Sequence, residues 1–187
     1  MDLTGKVAVV TGASKGVGLA IADALTARGM LVATVARHNA DFIADVSDPA
    51  AVARLKQEVE DKLGVPTVLV NNAGVFGPIA LIEETDPSEW IETIQINTIG
   101  PYLLCREFMR GMQDAGWGRI INVSSAASLG EPGMYNSAYA TAKVALNQFT
   151  RNLAAELDGT GVSANVIHPG DVKTVREKTS CFCAILC

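Results

Sequence analysis

Six short, nearly unbroken apolar runs constrain this chain more than any other feature. They fall at 7–10, 31–36, 41–44, 67–70, 119–123 and 164–167. A strand with one face in water alternates apolar and polar residues. A run that stays apolar fits a strand covered on both faces, as in a parallel sheet. Between the runs lie amphipathic stretches with legible ends. The first carries Val17, Ile21, Ala24 and Leu25 on one helical face and stops at Gly29. A second opens at Asp48-Pro49, a capping residue followed by proline, and stops at Gly64. A third opens in the same way at Asp86-Pro87, and Gly100-Pro101 predicts a kink or split before it resumes to about Ala115. The last long helix is predicted over 137–157. Repeated βα units predict a doubly wound α/β fold with right-handed crossovers. Only residues 37–40 separate the second and third runs, too few for an ordinary crossover helix. A loop-like crossover or one marginal turn must join them.

At 187 residues the chain fits one domain with a full core. No apolar run reaches membrane-spanning length, and the N-terminus lacks the basic flank and apolar stretch of a signal peptide. A cytoplasmic location is expected. A net charge of −5 offers no general attraction to nucleic acid, and none is expected as a partner. Cys181, Cys183 and Cys187 crowd the C-terminus, but no His or further Cys lies nearby to complete four metal ligands. With Ala184 fourth from the end they also miss the prenylation pattern. They read as reduced thiols, and no metal is expected.

Two segments carry chemistry. The first is the turn Thr11-Gly12-Ala13-Ser14-Lys15-Gly16-Val17-Gly18, directly after the first strand and before a helix. Its glycines allow tight turning and close backbone approach, and the helix N-terminus offers unpaired N–H groups to a pyrophosphate. The spacing is Gly-x-x-x-Gly-x-Gly rather than Gly-x-Gly-x-x-Gly, but the strand–turn–helix context is that of a dinucleotide site. The second is Tyr139-Ala140-Thr141-Ala142-Lys143. On a helix, i and i+4 share a face, and a cation near a phenol favours its phenolate. Such a pair can exchange a proton near neutral pH, as reduction of a carbonyl or oxidation of an alcohol requires.

With these and further motifs in family order, the chain resembles the short-chain dehydrogenase/reductase family, in particular its 3-oxoacyl reductase-like members. Thr11 to Gly18 matches the family's glycine turn, and Asn71-Asn72-Ala73-Gly74 its Asn-Asn-Ala-Gly segment. Asn97, Ser125 and Tyr139 with Lys143 match its catalytic asparagine, serine and Tyr-x-x-x-Lys; Pro169-Gly170-Asp171-Val172-Lys173-Thr174 matches its Pro-Gly segment. The resemblance implies a Rossmann-type sheet of strand order 3-2-1-4-5-6. It also implies roles. Tyr139 is the general acid in reduction. Lys143 lowers the tyrosine's pKa and binds the nicotinamide ribose. Ser125 polarises the substrate oxygen, and Asn97 holds a water linking the lysine to solvent. Ser124 and Ser128 rival Ser125, which sits fourteen positions before Tyr139 where the family places its serine; Tyr135 is a decoy, with no lysine four residues on.

The expected cofactor contacts are Gly12, Ser14, Lys15, Gly16, Val17, Gly18, Arg37, Asp45, Val46, Asn72, Ala73, Gly74, Tyr139, Lys143, Pro169, Gly170, Val172 and Thr174. The second strand ends in Ala36-Arg37 with no acid to bind a ribose 2′-hydroxyl. Arg37 and Lys15 suit a 2′-phosphate, so NADP is favoured over NAD. Asp45 and Val46 are expected to flank the adenine. The family continues past the Pro-Gly segment with a substrate lid and a seventh strand that the residues after Thr174 do not resemble. A single domain over 1–174 with an atypical tail at 175–187 is therefore expected. Two functions stay open at this point. One is an oxidoreductase acting on a small ketone or secondary alcohol, as a dimer or tetramer. The other is a catalytically weak dinucleotide-binding or interaction protein lacking the lid.

Overall fold

The structure, a computed structural model, describes residues 2–130 and 133–170. Its strands are β1 (Val7–Thr11), β2 (Leu31–Ala36), β3 (Phe42–Ile43), β4 (Pro66–Asn71), β5 (Gly118–Val123) and β6 (Val162–Ile167). All pair in parallel, in the order β3-β2-β1-β4-β5-β6. Every residue of β1 is buried because the strand is central and both faces are covered. The pleat divides them: Val7 and Val9 join the core on one face, Ala8 and Val10 the core on the other. In β4, Leu69 faces the first core while Val68 and Val70 face the second.

β3 is shorter than its apolar run. Asp41 leaves the strand because its N–H donates to Thr34 Oγ1 (2.9 Å), whose hydroxyl donates back to Asp41 Oδ2 (2.6 Å). This clasp closes a loop-like crossover over 37–41, with Asn39 at φ 54°. It resolves the choice that the short spacing left open.

The helices are α1 (Gly16–Thr26), α2 (Pro49–Leu63), α3 (Pro87–Ile94), α4 (Gly100–Asp114) and α5 (Ser137–Glu156). Asp48 caps α2 by accepting from Ala50 N (2.9 Å), and Gly64 ends it at φ 93°. Asp86 caps α3 by accepting from Ser88 N (2.7 Å). Between α3 and α4 the chain forms a π-helical segment, Gln95–Ile99. The irregularity thus lies one turn before the expected kink at Gly100-Pro101. Pro101 has no N–H for the carbonyl four residues back, and its ring would press on that carbonyl; a widened turn relieves both problems. Among the described residues no helix is long and apolar enough to cross a membrane. Val172, Thr174, the cysteines of the tail and the proposed boundary at 174 lie outside the described residues.

A buried polar chain ties α5 to the sheet. Asn71 Nδ2 donates to Asn122 Oδ1 (2.8 Å), Asn122 Nδ2 to Thr150 Oγ1 (2.8 Å), and that hydroxyl to Leu146 O (2.7 Å). All three side chains are at most 2% exposed. Removing the central member strands its partners away from water. Asn122→Ala is expected to cost about 1–3 kcal/mol, read in urea unfolding as a lower midpoint at an unchanged slope. An unchanged midpoint would show that the chain contributes nothing to stability.

Candidate active site

The glycine turn is held to the end of β4 by Asn72 and Thr11. Asn72 Nδ2 donates to the carbonyls of Thr11 (2.9 Å) and Gly12 (3.3 Å). Thr11 Oγ1 accepts from Asn72 N and Ala73 N (3.0 Å each) and donates to Val70 O (3.3 Å). Gly12 has φ 65°, and a Cβ there would stand 2.8 Å from Ala73 Cα. A Cβ on Gly18 would run into the Gly12 carbonyl and the Asn72 amide. Gly18 therefore packs α1 beneath the turn and does not line the cavity above it, unlike its expected role as a direct cofactor contact. The importance of Thr11 was not singled out by its place at the head of the motif; only the structure reveals its triple bonding.

That cavity, of about 600 Å³, lies at the C-terminal ends of β1, β2, β4 and β5. It collects Gly12, Ser14, Lys15, Gly16, Val17, Arg37, Asp45, Val46, Asn72, Ala73 and Gly74 with Asn97, Ser125, Tyr139, Lys143, Pro169 and Gly170. Arg37 and Lys15 are exposed and share its outer end with His38. The Ser47 hydroxyl (2.6 Å) holds the Asp45 carboxyl below its ordinary pKa, helped by the Ser47 N–H (2.9 Å) and Arg37 charge, against partial burial. Gly100 lets this loop in: a Cβ there would stand 3.0 Å from Val46 Cγ2.

At the inner end, α5 presents Tyr139 and Lys143 on one face. Lys143 is only 4% exposed; its Nζ donates to Val123 O (2.9 Å) and lies 5.5 Å from the Tyr139 ring centroid. Burial pulls the lysine down to about 8. Its backbone is gripped as well: Ser124 Oγ donates to Lys143 O (3.2 Å), and Thr98 Oγ1 to Ala142 O (3.0 Å). Asn97, in the π segment, donates through Nδ2 to Val75 O (2.9 Å) and Thr93 O (2.8 Å). Its Oδ1 is buried with no protein partner and points at Gly74, where a Cβ would stand 2.6 Å from it and 3.6 Å from Lys143 Nζ.

The three serines separate clearly. Ser124 also borders the cavity, but it is 3% exposed and its hydroxyl is turned to α5. Ser128 Oγ donates to Ser125 O (2.6 Å), and Ser128 is not among the cavity-lining residues. Ser125 lines the cavity, its Oγ accepting from Ala127 N (3.2 Å). Phe76, which no motif flagged, stacks on Tyr139 with centroids 4.6 Å apart and planes 20° apart. Tyr135 lies at φ 69° and accepts from Ala80 N through its carbonyl (3.2 Å), joining two loops.

Residues 6–180 match the model of the short chain dehydrogenase family. The chain belongs to this family. It is similar to the 3-oxoacyl-[acyl-carrier-protein] reductase FabG of Pseudomonas aeruginosa, 36% identical, with 93% of this chain and 76% of that protein aligned. To the FabG of Escherichia coli it is 35% identical over the same shares. The fold superposes on the ligand-free aldohexose dehydrogenase of Thermoplasma acidophilum with a TM-score of 0.87 at 30% identity, covering 93% of this chain and 69% of that one. It also superposes on a metagenomic short-chain oxidoreductase solved in complex with NADP, with a TM-score of 0.84 at 36% identity, covering 92% and 85%. Strand order and family thus agree with the resemblance carried by the motifs.

The buried lysine gives this short-chain dehydrogenase a pH signature. Its folded-state pKa lies below the ordinary 10.5, so the unfolded chain holds the proton more tightly. The resulting penalty is full below about 8 and is relieved as pH rises toward 10.5. Relative to Lys143→Met, without added nucleotide, the parent should gain on the order of 3 kcal/mol across that window. Parallel stability curves for the two proteins from pH 7 to 10.5 would contradict the burial of a charged lysine.

Proposed function

We propose that this enzyme transfers hydride between NADP(H) and a ketone or secondary alcohol, with 3-oxoacyl thioesters as the substrate class. The convergence of Tyr139, Lys143, Ser125 and Asn97 at the inner end of one cavity carries the reading, with Arg37 and Lys15 at its outer end. The names of the FabG relatives and the NADP complex of a structural neighbour support the substrate class and the cofactor.

The residues present fit a dinucleotide. The Gly12 and Gly16 turn at the start of α1 suits a pyrophosphate, and a side chain at Gly12 would push that turn off Ala73. Arg37 and Lys15 suit a 2′-phosphate, and Asp45 with Val46 would flank the adenine. Tyr139, Lys143, Pro169 and Gly170 would hold the nicotinamide end. When bound, the cofactor supplies the hydride that reaches the carbonyl carbon. Tyr139 Oη gives its proton to the carbonyl oxygen, completing the alcohol. Ser125 Oγ donates a hydrogen bond to that oxygen and polarises it. Lys143, held beside the ring as a cation, stabilises the phenolate left behind. The unpartnered Asn97 Oδ1 is an acceptor for a water between it and the lysine, through which the proton is resupplied.

Two expectations test this reading. Tyr139→Phe should lower kcat for a 3-oxoacyl thioester by at least about 100-fold while the Kd for NADPH stays within about twofold, because the hydroxyl serves the chemical step. Ordinary turnover by that variant would remove the acid. Arg37→Asp should weaken NADPH about tenfold or more and leave NADH preferred, since one exposed charge-assisted contact is worth about 1.4 kcal/mol under screening. Equal affinity of the parent for both cofactors would sink the NADP assignment. Tight NADPH binding with no turnover of any ketone would favour a dinucleotide-binding role instead.

A further inference from the structure

The stripe that carries Tyr139 and Lys143 continues one turn further along α5 to Asn147. Both ends of this amide are engaged. Nδ2 donates to Ser128 Oγ (2.9 Å), and Oδ1 lies 3.2 Å from His168 Nε2. Proton counting orients the whole chain. The Ser125 carbonyl can only accept, so the one proton of Ser128 Oγ goes to it (2.6 Å). That leaves Ser128 only lone pairs for Asn147, so the amide NH₂ must face it. The amide oxygen then faces His168 and can only accept, so Nε2 of His168 carries a proton. Both the neutral Nε2–H form and the imidazolium satisfy this, so the chain holds whatever the charge on His168.

The turn at the other end is held by polar contacts, among them Ser124 Oγ at 3.2 Å from Ser128 Oγ. Residues 126–128 form one 3₁₀ turn, with Ala126 and Ala127 exposed and Leu129 66% exposed. Apolar packing therefore does not set its position. Backbone bonds from Ser124 N to Ile167 O (2.8 Å) and from Ala126 N to Pro169 O (3.1 Å) tie it to the end of β6. Ser124, through Lys143 O, ties the start of the turn to α5, and the side-chain relay through Asn147 adds a second tie one turn further on.

We propose that Asn147 and His168 are positioning residues for Ser125. By fixing the serine turn to α5, they set its hydroxyl at the spacing from Tyr139 at which both can engage one substrate oxygen. A displacement of about 1 Å in such a constellation can cost about 100-fold. His168 also directly precedes Pro169 and Gly170, which line the same cavity, so the relay joins the serine turn to the nicotinamide-side loop. This inference rests on Ser125 being the substrate-polarising serine.

The test uses Asn147→Asp, which keeps the shape of the amide but removes the donor facing Ser128, with Ser125→Ala as reference. Asn147→Asp is expected to lower kcat/KM for the carbonyl substrate 10- to 100-fold, with the Kd for NADPH unchanged within twofold. In the Ser125→Ala background the same change should cost no more than about twofold, because it acts through that serine. His168→Gln, which keeps an N–H donor, should retain more turnover than His168→Leu. Amide exchange over 125–129 reads the same contact without turnover and should quicken about tenfold in Asn147→Asp while β1 is unaffected. Parental kcat/KM in Asn147→Asp, losses that multiply in the double variant, or unchanged exchange over 125–129 would each overturn the positioning role. Full turnover by Ser125→Ala would instead remove the serine assignment on which it rests.

Discussion

Burying the Lys143 ammonium at the end of β5 requires α5 to sit at one height and one rotation over the sheet. A charged group so far from water is tolerated only with a well-placed acceptor, here the Val123 carbonyl. Neighbouring contacts hold the helix in that position. Ser124 grips the lysine's own carbonyl from the β5 side, and Thr98 grips the preceding carbonyl from the π segment. Asn122 and Thr150 repeat the attachment two turns along. Tyr139, one turn before the lysine, inherits its placement from these bonds, and Phe76 covers one face of its ring.

The cations of the cavity work in two different dielectric settings. Arg37 and Lys15 stand in water, where salt screens them. Lys143 lies where screening is weak, so a small change in its surroundings changes the energy of its own charge. The charges at the two ends of the cavity therefore differ in their sensitivity to salt.

Much of the fold was legible because β1 and β4 are covered on both faces and therefore read as nearly unbroken apolar runs. β3 was less so: Asp41 looks like the start of the run, yet its amide is drawn off by the Thr34 hydroxyl, a partner seven positions away. The candidate stripe of Tyr139 and Lys143 was legible because both are local on one helix. Asn147 shares that helix but finds its partners at 128 and 168, and no spacing rule predicts such a pair. Phe76 was hidden for the same reason, since the ring it stacks on, Tyr139, is far away in sequence. Gly18 was read as a ligand contact, whereas its missing side chain serves the approach of Asn72.

The π segment has a consequence for how α3 and α4 can each face a different neighbour. An α-helix advances about 100° per residue, so one extra residue in a turn shifts the phase of everything after it by about that angle. Upstream, Trp90 turns toward α5, where its Nε1 donates to Ser137 Oγ (3.2 Å). Downstream, Leu104, Phe108 and Met112 turn toward the sheet. A continuous helix would have to compromise between these two directions. The widened turn acts as a gear change between them, and Asn97 sits at the point of slip, with its amide nitrogen on the Thr93 carbonyl and its amide oxygen aimed at the lysine side of the cavity.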